Sequence, residues 1–213
     1  MTGQLKLVMA TLAVMALSIA GFAADGSSLK PPSGAKVAIV MFEDMECPSC
    51  AHSFPTVHEI GKEHNVPVLF YDFPLPSHPW SFTAAVDARF FENKSAKLGD
   101  DFRGYIFQNQ PQITPNNLQQ YVQKFADDNK VPLPFAIDPQ GKLKEAVEAD
   151  RALGNRCGLQ HTPTIFVIGS GASPSYVEVE DSSKLGQIVE DMRQKVGPAT
   201  PVHRTATKKG TNQ

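Results

Sequence analysis

The chain has 213 residues, with 20 Lys and Arg against 22 Asp and Glu and a net charge of −2. This near-neutral balance carries no basic footprint for nucleic acid, so no DNA or RNA partner is expected. With only 3 cysteines, a disulfide-stapled scaffold is excluded, and one domain held by an apolar core is expected.

Lys6 and the uncharged run "LVMATLAVMALSIAGFAA" open the chain, and small residues follow around Gly21, Ala23 and Ala24. A basic start, an apolar stretch and a small-residue cleavage site are the layout of a secretory signal peptide, here residues 1–23. The competing reading is an uncleaved N-terminal membrane anchor, since about 20 apolar residues span a bilayer. Both readings put the remainder in an extracytoplasmic compartment, where disulfides form and persist. Residues 24–36, which include "GSSLKPPSGAK", read as a linker.

"VAIVMF" at 37–42 is apolar and β-branched, as a buried strand should be. From Pro48 the pattern turns helical, with proline in the first turn and Cys50, Phe54 and Val57 recurring at i, i+4 and i+7. "HNVPVLFYDFPLP" then reads as loop, strand and proline-rich exit. Residues 79–150 form a largely helical region, including a helix capped by Thr114 with Pro115 in its first turn. The helix "KLKEAVEADRALGNRCGL" ends near Gly158, and the strands "TPTIFVIG" and "SYVEVE" and the helix "SSKLGQIVEDMRQKV" complete the domain at 196. The polar tail, residues 197–213, is expected to be disordered. The fold class is α/β, with a helical region inserted into a small core.

"FEDMECPSCAH" is the stretch that carries chemistry. Structural zinc needs four ligands, and no second C-x-x-C supplies them. His52 lies about 200° around the helix from Cys50 and does not turn onto the same ion, so no metal is expected. A disulfide closing so short a loop constrains little of the unfolded chain, which disfavours a purely structural bond. A redox pair explains more. Cys47 at the helix start is expected to be exposed and to meet unpaired N–H groups and the positive end of the dipole, which favour a thiolate. Cys50, one turn in on the apolar stripe, is shielded. Cys47 then attacks or is attacked, Cys50 resolves the mixed disulfide, and Pro48 and Ser49 tune the pair.

"MFEDMECPSC", "YDFPLPSH" and "LQHTPTIFVIG", in that order, resemble the DsbA-like thiol–disulfide oxidoreductases of the thioredoxin-fold superfamily over residues 37–196. The resemblance implies a thioredoxin fold with a helical insertion, Cys47 as nucleophile, Cys50 as resolving thiol, and a cis-proline at Pro163 preceded by Thr162. That loop would offer its backbone to an extended substrate by strand addition. No cofactor is implied beyond the redox-active disulfide Cys47–Cys50. The implied activity is that of an exported, periplasmic dithiol oxidase acting as a monomer on unfolded or partly folded secreted proteins and recharged by a membrane redox partner. Alternatives are a reductase or isomerase with the same residues, a peptide-binding chaperone whose C-x-x-C is a clip, and a metal carrier using Cys47, Cys50 and His52.

Two departures from the family stand out. At the strand position where many relatives carry a buried acid, this chain has Met41; Glu43, two residues on and on the same side of the strand, is the substitute. Strongly oxidising members often have histidine where Ser49 stands. Glu43, Asp44 and Glu46 are expected to oppose a nearby thiolate, giving an intermediate potential. His78 is expected to be structural. Cys157 reads as a small core residue, the sharper alternative being exchange with Cys47 or pairing between chains.

Overall fold

The computed structural model describes residues 23–197; the expectations of a signal peptide at the start of the chain and of a disordered tail fall on residues outside them. β1 (Val37–Glu43) leads into α1 (Pro48–Glu63) and β2 (Val68–Asp72), and α2 (Ser81–Glu92), α3 (Ala96–Asn109), α4 (Leu118–Asp128) and α5 (Lys142–Arg156) follow. β3 (Thr164–Gly169), β4 (Tyr176–Glu178) and α6 (Leu185–Val196) close the fold.

The sheet order is β2-β1-β3-β4. β1 runs parallel to β2, with Glu43 beside Asp72, and antiparallel to β3, with Phe42 beside Thr164. Successive side chains of β1 feed opposite faces. Val37, Ile39 and Met41 join Val57, Val167 and Val189, while Ala38, Val40 and Phe42 join Phe73, Phe166 and Ile168. Burial on both faces is why this strand reads as an unbroken apolar run rather than an alternating one.

The insertion adds an aromatic group to the core that Met41 and Val57 share. Phe91 and Phe102 pack with centroids 4.6 Å apart, and Phe125 sits 4.9 Å from Phe91 and 5.1 Å from Phe102. Burying each such ring contributes about 1.5–3 kcal/mol, which holds α2, α3 and α4 together. Cys157 caps the end of α5, and Gly158 takes the left-handed conformation (φ +75°) that lets the chain turn away.

Two expectations are corrected here. The helix read as starting at Thr114 begins at Leu118, because the Asn117 side chain accepts the Thr114 N–H at 2.6 Å and closes a turn first. The first part of residues 24–36 is packed rather than free as a linker: Ala24 and Leu29 are buried, and the Asp25 N–H donates to the Cys157 carbonyl at 2.7 Å.

Candidate active site

The turn between β1 and α1 is fixed by its own acids. Asp44 Oδ1 accepts the Glu46 N–H at 2.7 Å, and Oδ2 accepts the Leu75 N–H and pairs with His78 Nδ1, both at 2.7 Å. Glu46 accepts the Trp80 N–H at 2.9 Å. From the other side, Gln110 Nε2 donates to the carbonyls of Met45 (2.8 Å) and Cys47 (3.1 Å). The segment after β2 and the end of α3 therefore clamp the loop carrying the cysteines. His78 acts through Asp44, in line with its structural reading.

Cys47 is the N-cap residue of α1, and Pro48 occupies the first turn, where a missing N–H costs nothing. Contrary to the expectation of an exposed nucleophile, Cys47 is only 7% exposed. Its Sγ lies 3.3 Å from the Thr162 carbonyl, which it meets as a thiol donor, so the loop before β3 covers it. Ser49 remains exposed. The Thr162–Pro163 bond is cis, and Thr164 Oγ1 donates to the His161 carbonyl at 2.8 Å to close that loop. Cys50 is fully buried, and its sulfur accepts the Asp44 N–H at 3.4 Å.

The two thiols are driven apart electrostatically. The Cys50 thiol, first, lowers the Cys47 pKa from 9.0 to about 5 by donating to its thiolate; the Thr162 side chain and the N–H groups of Cys50 and Ser49 act in the same direction against partial burial. Burial pushes the Cys50 thiol up, and the neighbouring Cys47 charge adds to this. The three acids expected to oppose the thiolate do not act that way on Cys47. None of them is among the causes of the Cys47 shift, and each carboxylate is turned to other partners, Asp44 to the Glu46 and Leu75 N–H groups and His78, Glu46 to the Trp80 N–H and Glu43 to Arg103.

Glu43 sits where the sheet meets the insertion. Its Oε1 accepts from Arg103 Nε at 2.7 Å, while its Oε2 is buried with no hydrogen-bond partner. Burial raises its pKa from 4.5 to about 8 despite Arg103, and its charge reaches Cys50. Arg103 also bonds Asp72 at 3.1 Å, and Arg89 links Asp72 to Asp150. For Arg103, burial works against the cation, but Asp72, Glu43 and Glu92 outweigh it and raise its pKa. Sequence reasoning missed Arg103 and Gln110. The signal for Arg103 was its place on the α3 stripe with Ile106 and Phe107, where an isolated cation needs a buried partner.

Cys157 is 1% exposed and packs with Ala24, Phe73 and Leu159, in the cluster on the opposite face from the one containing Cys47. Ser28 Oγ lies 3.7 Å from its sulfur.

A family model described as "Thioredoxin" matches residues 32–184. The chain superposes on Wolbachia pipientis alpha-DsbA1 with a TM-score of 0.62 at 16% identity, covering 76% of this chain and 88% of that one. It superposes on oxidised BdbD from Bacillus subtilis with a TM-score of 0.61 at 19% identity, covering 81% and 98%. Among curated relatives, the Na(+)/H(+) antiporter NhaA 1 of Salinispora arenicola is 26% identical over 71% of this chain and 23% of its own length. The chain spans about a quarter of the length of the curated relatives it matches, 23% and 28% of two NhaA proteins.

Proposed function

The chain belongs to the thioredoxin family, and from that premise we propose that it is an exported dithiol oxidase that passes the Cys47–Cys50 disulfide to secreted proteins as they fold. The observation that carries this reading is the split between the two thiols, with Cys47 lowered to about 5 by the Cys50 thiol and the N–H groups at the start of α1, and Cys50 pushed up by burial in the core.

A client thiolate attacks Cys47 Sγ, the Cys47–Cys50 bond breaks, and the electron pair leaves on Cys50. A protonated Glu43, whose pKa of about 8 keeps it neutral at pH 7, supplies the proton that Cys50 requires. A second client thiolate attacks the client sulfur of the mixed disulfide and releases Cys47 as a thiolate. Its low pKa makes it a good leaving group. The client loses two electrons and two protons and gains a disulfide; the two electrons rest on the reduced pair until a membrane redox partner removes them. Thr162 and Pro163 would hold the client backbone beside Cys47. Pro48 and Ser49 set the helix start, with the Ser49 N–H favouring the Cys47 thiolate. Export is supported by the signal-peptide layout of residues 1–23, and no helix among the described residues is long and apolar enough to cross a membrane.

Equilibration of the pair against glutathione, with thiolate absorbance read on the same sample, tests the reading. A Cys47 pKa of about 5 lies two units below that of a thioredoxin-like thiol near 7, which stabilises the reduced form by about 2.7 kcal/mol, or about 60 mV. From a reference of about −270 mV the expected potential is about −210 mV. A potential near −270 mV with a pKa near 7 would make the protein a reductant. Cys47→Ser should abolish exchange; retained client folding in that variant would point to a chaperone instead.

A further inference from the structure

A cavity of about 510 Å³ opens between α2, α4 and the segment that joins α4 to α5. Thr83, Val86 and Asp87 line it from α2, at the i, i+3 and i+4 spacing that sets side chains on one side of a helix. Gln119 and Gln123, also four residues apart, line it from α4, and Leu133, Pro134, Phe135 and Ile137 form the third side. Asp87 is the one ionisable group in this wall.

The hydrogen bonds leave the wall rich in acceptors. Gln119 Nε2 donates to Asp87 Oδ2 at 3.0 Å, and Gln123 Nε2 donates to Asp127 Oδ1 at 2.8 Å. Both amides have turned their nitrogen to a carboxylate, so their carbonyl oxygens, together with Asp87 Oδ1 and the Thr83 hydroxyl, are left to meet a ligand. Asp87 is 2% exposed, and burial lifts its pKa from 3.8 to about 7 against the Gln119 bond. Ionising a carboxyl held in this way costs stability, and a cation brought into the cavity offsets that cost.

At the mouth, Phe135 is fully exposed, and Pro134 beside it is exposed as well. A small-molecule site encloses most of its ligand; an open cavity with an aromatic ring standing outside it suits a side chain reaching in from another chain. An ammonium is compact and strongly hydrated, whereas a guanidinium spreads its N–H donors over a plane and so reaches several separated acceptors. We propose that this cavity receives an arginine side chain from a partner protein, with the guanidinium on Asp87 and the Gln119 and Gln123 carbonyls and the alkyl stem along Val86, Leu133 and Ile137. Phe135 then covers the segment that carries the arginine. None of these residues belongs to the cysteine loop, so the proposal stands apart from the exchange chemistry at Cys47.

The test is calorimetric titration of the full chain at pH 8 with blocked pentapeptides that carry arginine, lysine or citrulline between two pairs of alanines, and with butylguanidinium. Citrulline keeps the shape of arginine without its charge, and its peptide should bind about tenfold or more weaker than the arginine peptide, with the lysine peptide between them. At pH 6 the arginine peptide should bind about tenfold more weakly than at pH 8, because a carboxyl with a pKa of about 7 must first lose its proton. Asp87→Asn should bring the arginine peptide down to the citrulline level and leave dithiol exchange unchanged. Phe135→Ala should weaken the arginine peptide by about fivefold, through lost apolar contact, and leave butylguanidinium unaffected. Equal binding of the arginine and citrulline peptides, or an affinity that Asp87→Asn leaves unmoved, would overturn the site. Equal binding of the lysine and arginine peptides would overturn the choice of guanidinium. Binding of butylguanidinium without the peptide would overturn the protein partner, and no heat from any probe at millimolar concentration would overturn the whole proposal.

Discussion

Replacing Glu43 with Gln removes an ionisable group whose charge reaches Cys50 while keeping an oxygen to accept the Arg103 Nε–H, now bonded at 2.7 Å. In the wild type the Glu43 pKa is about 8, so about one tenth of the carboxyl is ionised at pH 7 and about one hundredth at pH 6. Cys50, its own thiol pushed up by burial, attacks a mixed disulfide only as its proton is taken. The resolution rate should therefore rise about tenfold per pH unit below 8 and level off above it, and positioned general bases contribute about a hundredfold or more. The assay traps Cys47 with a chromophoric thiol and follows, by stopped flow, the release of that thiol by Cys50. Glu43→Gln should lose the bend near pH 8 and resolve at least tenfold more slowly at that pH, with denaturant unfolding showing a folded protein. An unchanged rate and bend in the variant would refute Glu43 as the proton acceptor.

Two further expectations concern stability. Asp87 is 2% exposed, and burial lifts its pKa from 3.8 to about 7 against one opposing hydrogen bond from Gln119. The fold thus favours the protonated carboxyl: its contribution is fully present below about pH 4 and is lost as pH rises through 7. Asp87→Asn, which stays neutral, should match the wild type at pH 4 and exceed it by up to about 4 kcal/mol above pH 8 in urea unfolding; a difference independent of pH would contradict this. Gly154→Ala should destabilise although alanine is the better helix former, because its Cβ would lie 2.5 Å from the Phe73 ring. Overpacking of this kind costs about 1–3 kcal/mol, or about 2–12 °C of melting temperature for a domain of this size, and an unchanged melting temperature would disprove the crowding.

What could be read from the sequence was what short segments encode by themselves. An apolar β-branched run, proline in the first turn after Cys47, and apolar positions at helical spacing each define a strand or helix without distant partners. β1, α1 and the burial of Cys50 accordingly match expectation. Where a local signal competed with a tertiary one, the reading failed. Thr-Pro at 114–115 looks like a helix start, but the Asn117 side chain captures the Thr114 N–H and delays the helix to Leu118. The proline, serine and glycine of residues 24–36 conceal Ala24 and Leu29, whose burial depends on a sheet edge formed more than a hundred residues later. Cys47 is buried because of the Thr162 loop, which its own helix cannot reveal.

The acids before the cysteines show the same limit from the electrostatic side. Counting Glu43, Asp44 and Glu46 as three charges near a thiolate treats them as equivalent, yet each side chain is turned to a different partner: Arg103, the Leu75 N–H with His78, and the Trp80 N–H. Only the partners, all more than twenty residues away, decide whether a carboxylate opposes the nucleophile or anchors its loop. Met41 fills the strand position that the resemblance would give to an acid, and Glu43 keeps to the same side of β1 two residues nearer the helix, where the inserted α3 brings a compensating cation, Arg103. The buried Arg103 guanidinium is held by the Glu43 oxygen and by the Asp72 carboxylate, and a buried charge left with no partner would cost about 3–5 kcal/mol. The inserted helices are therefore part of the redox centre: Arg103 makes the interior acid tolerable and Gln110 holds the Cys47 carbonyl, so the chemistry of the Cys-Pro-Ser-Cys loop depends on a region that the motif itself does not include.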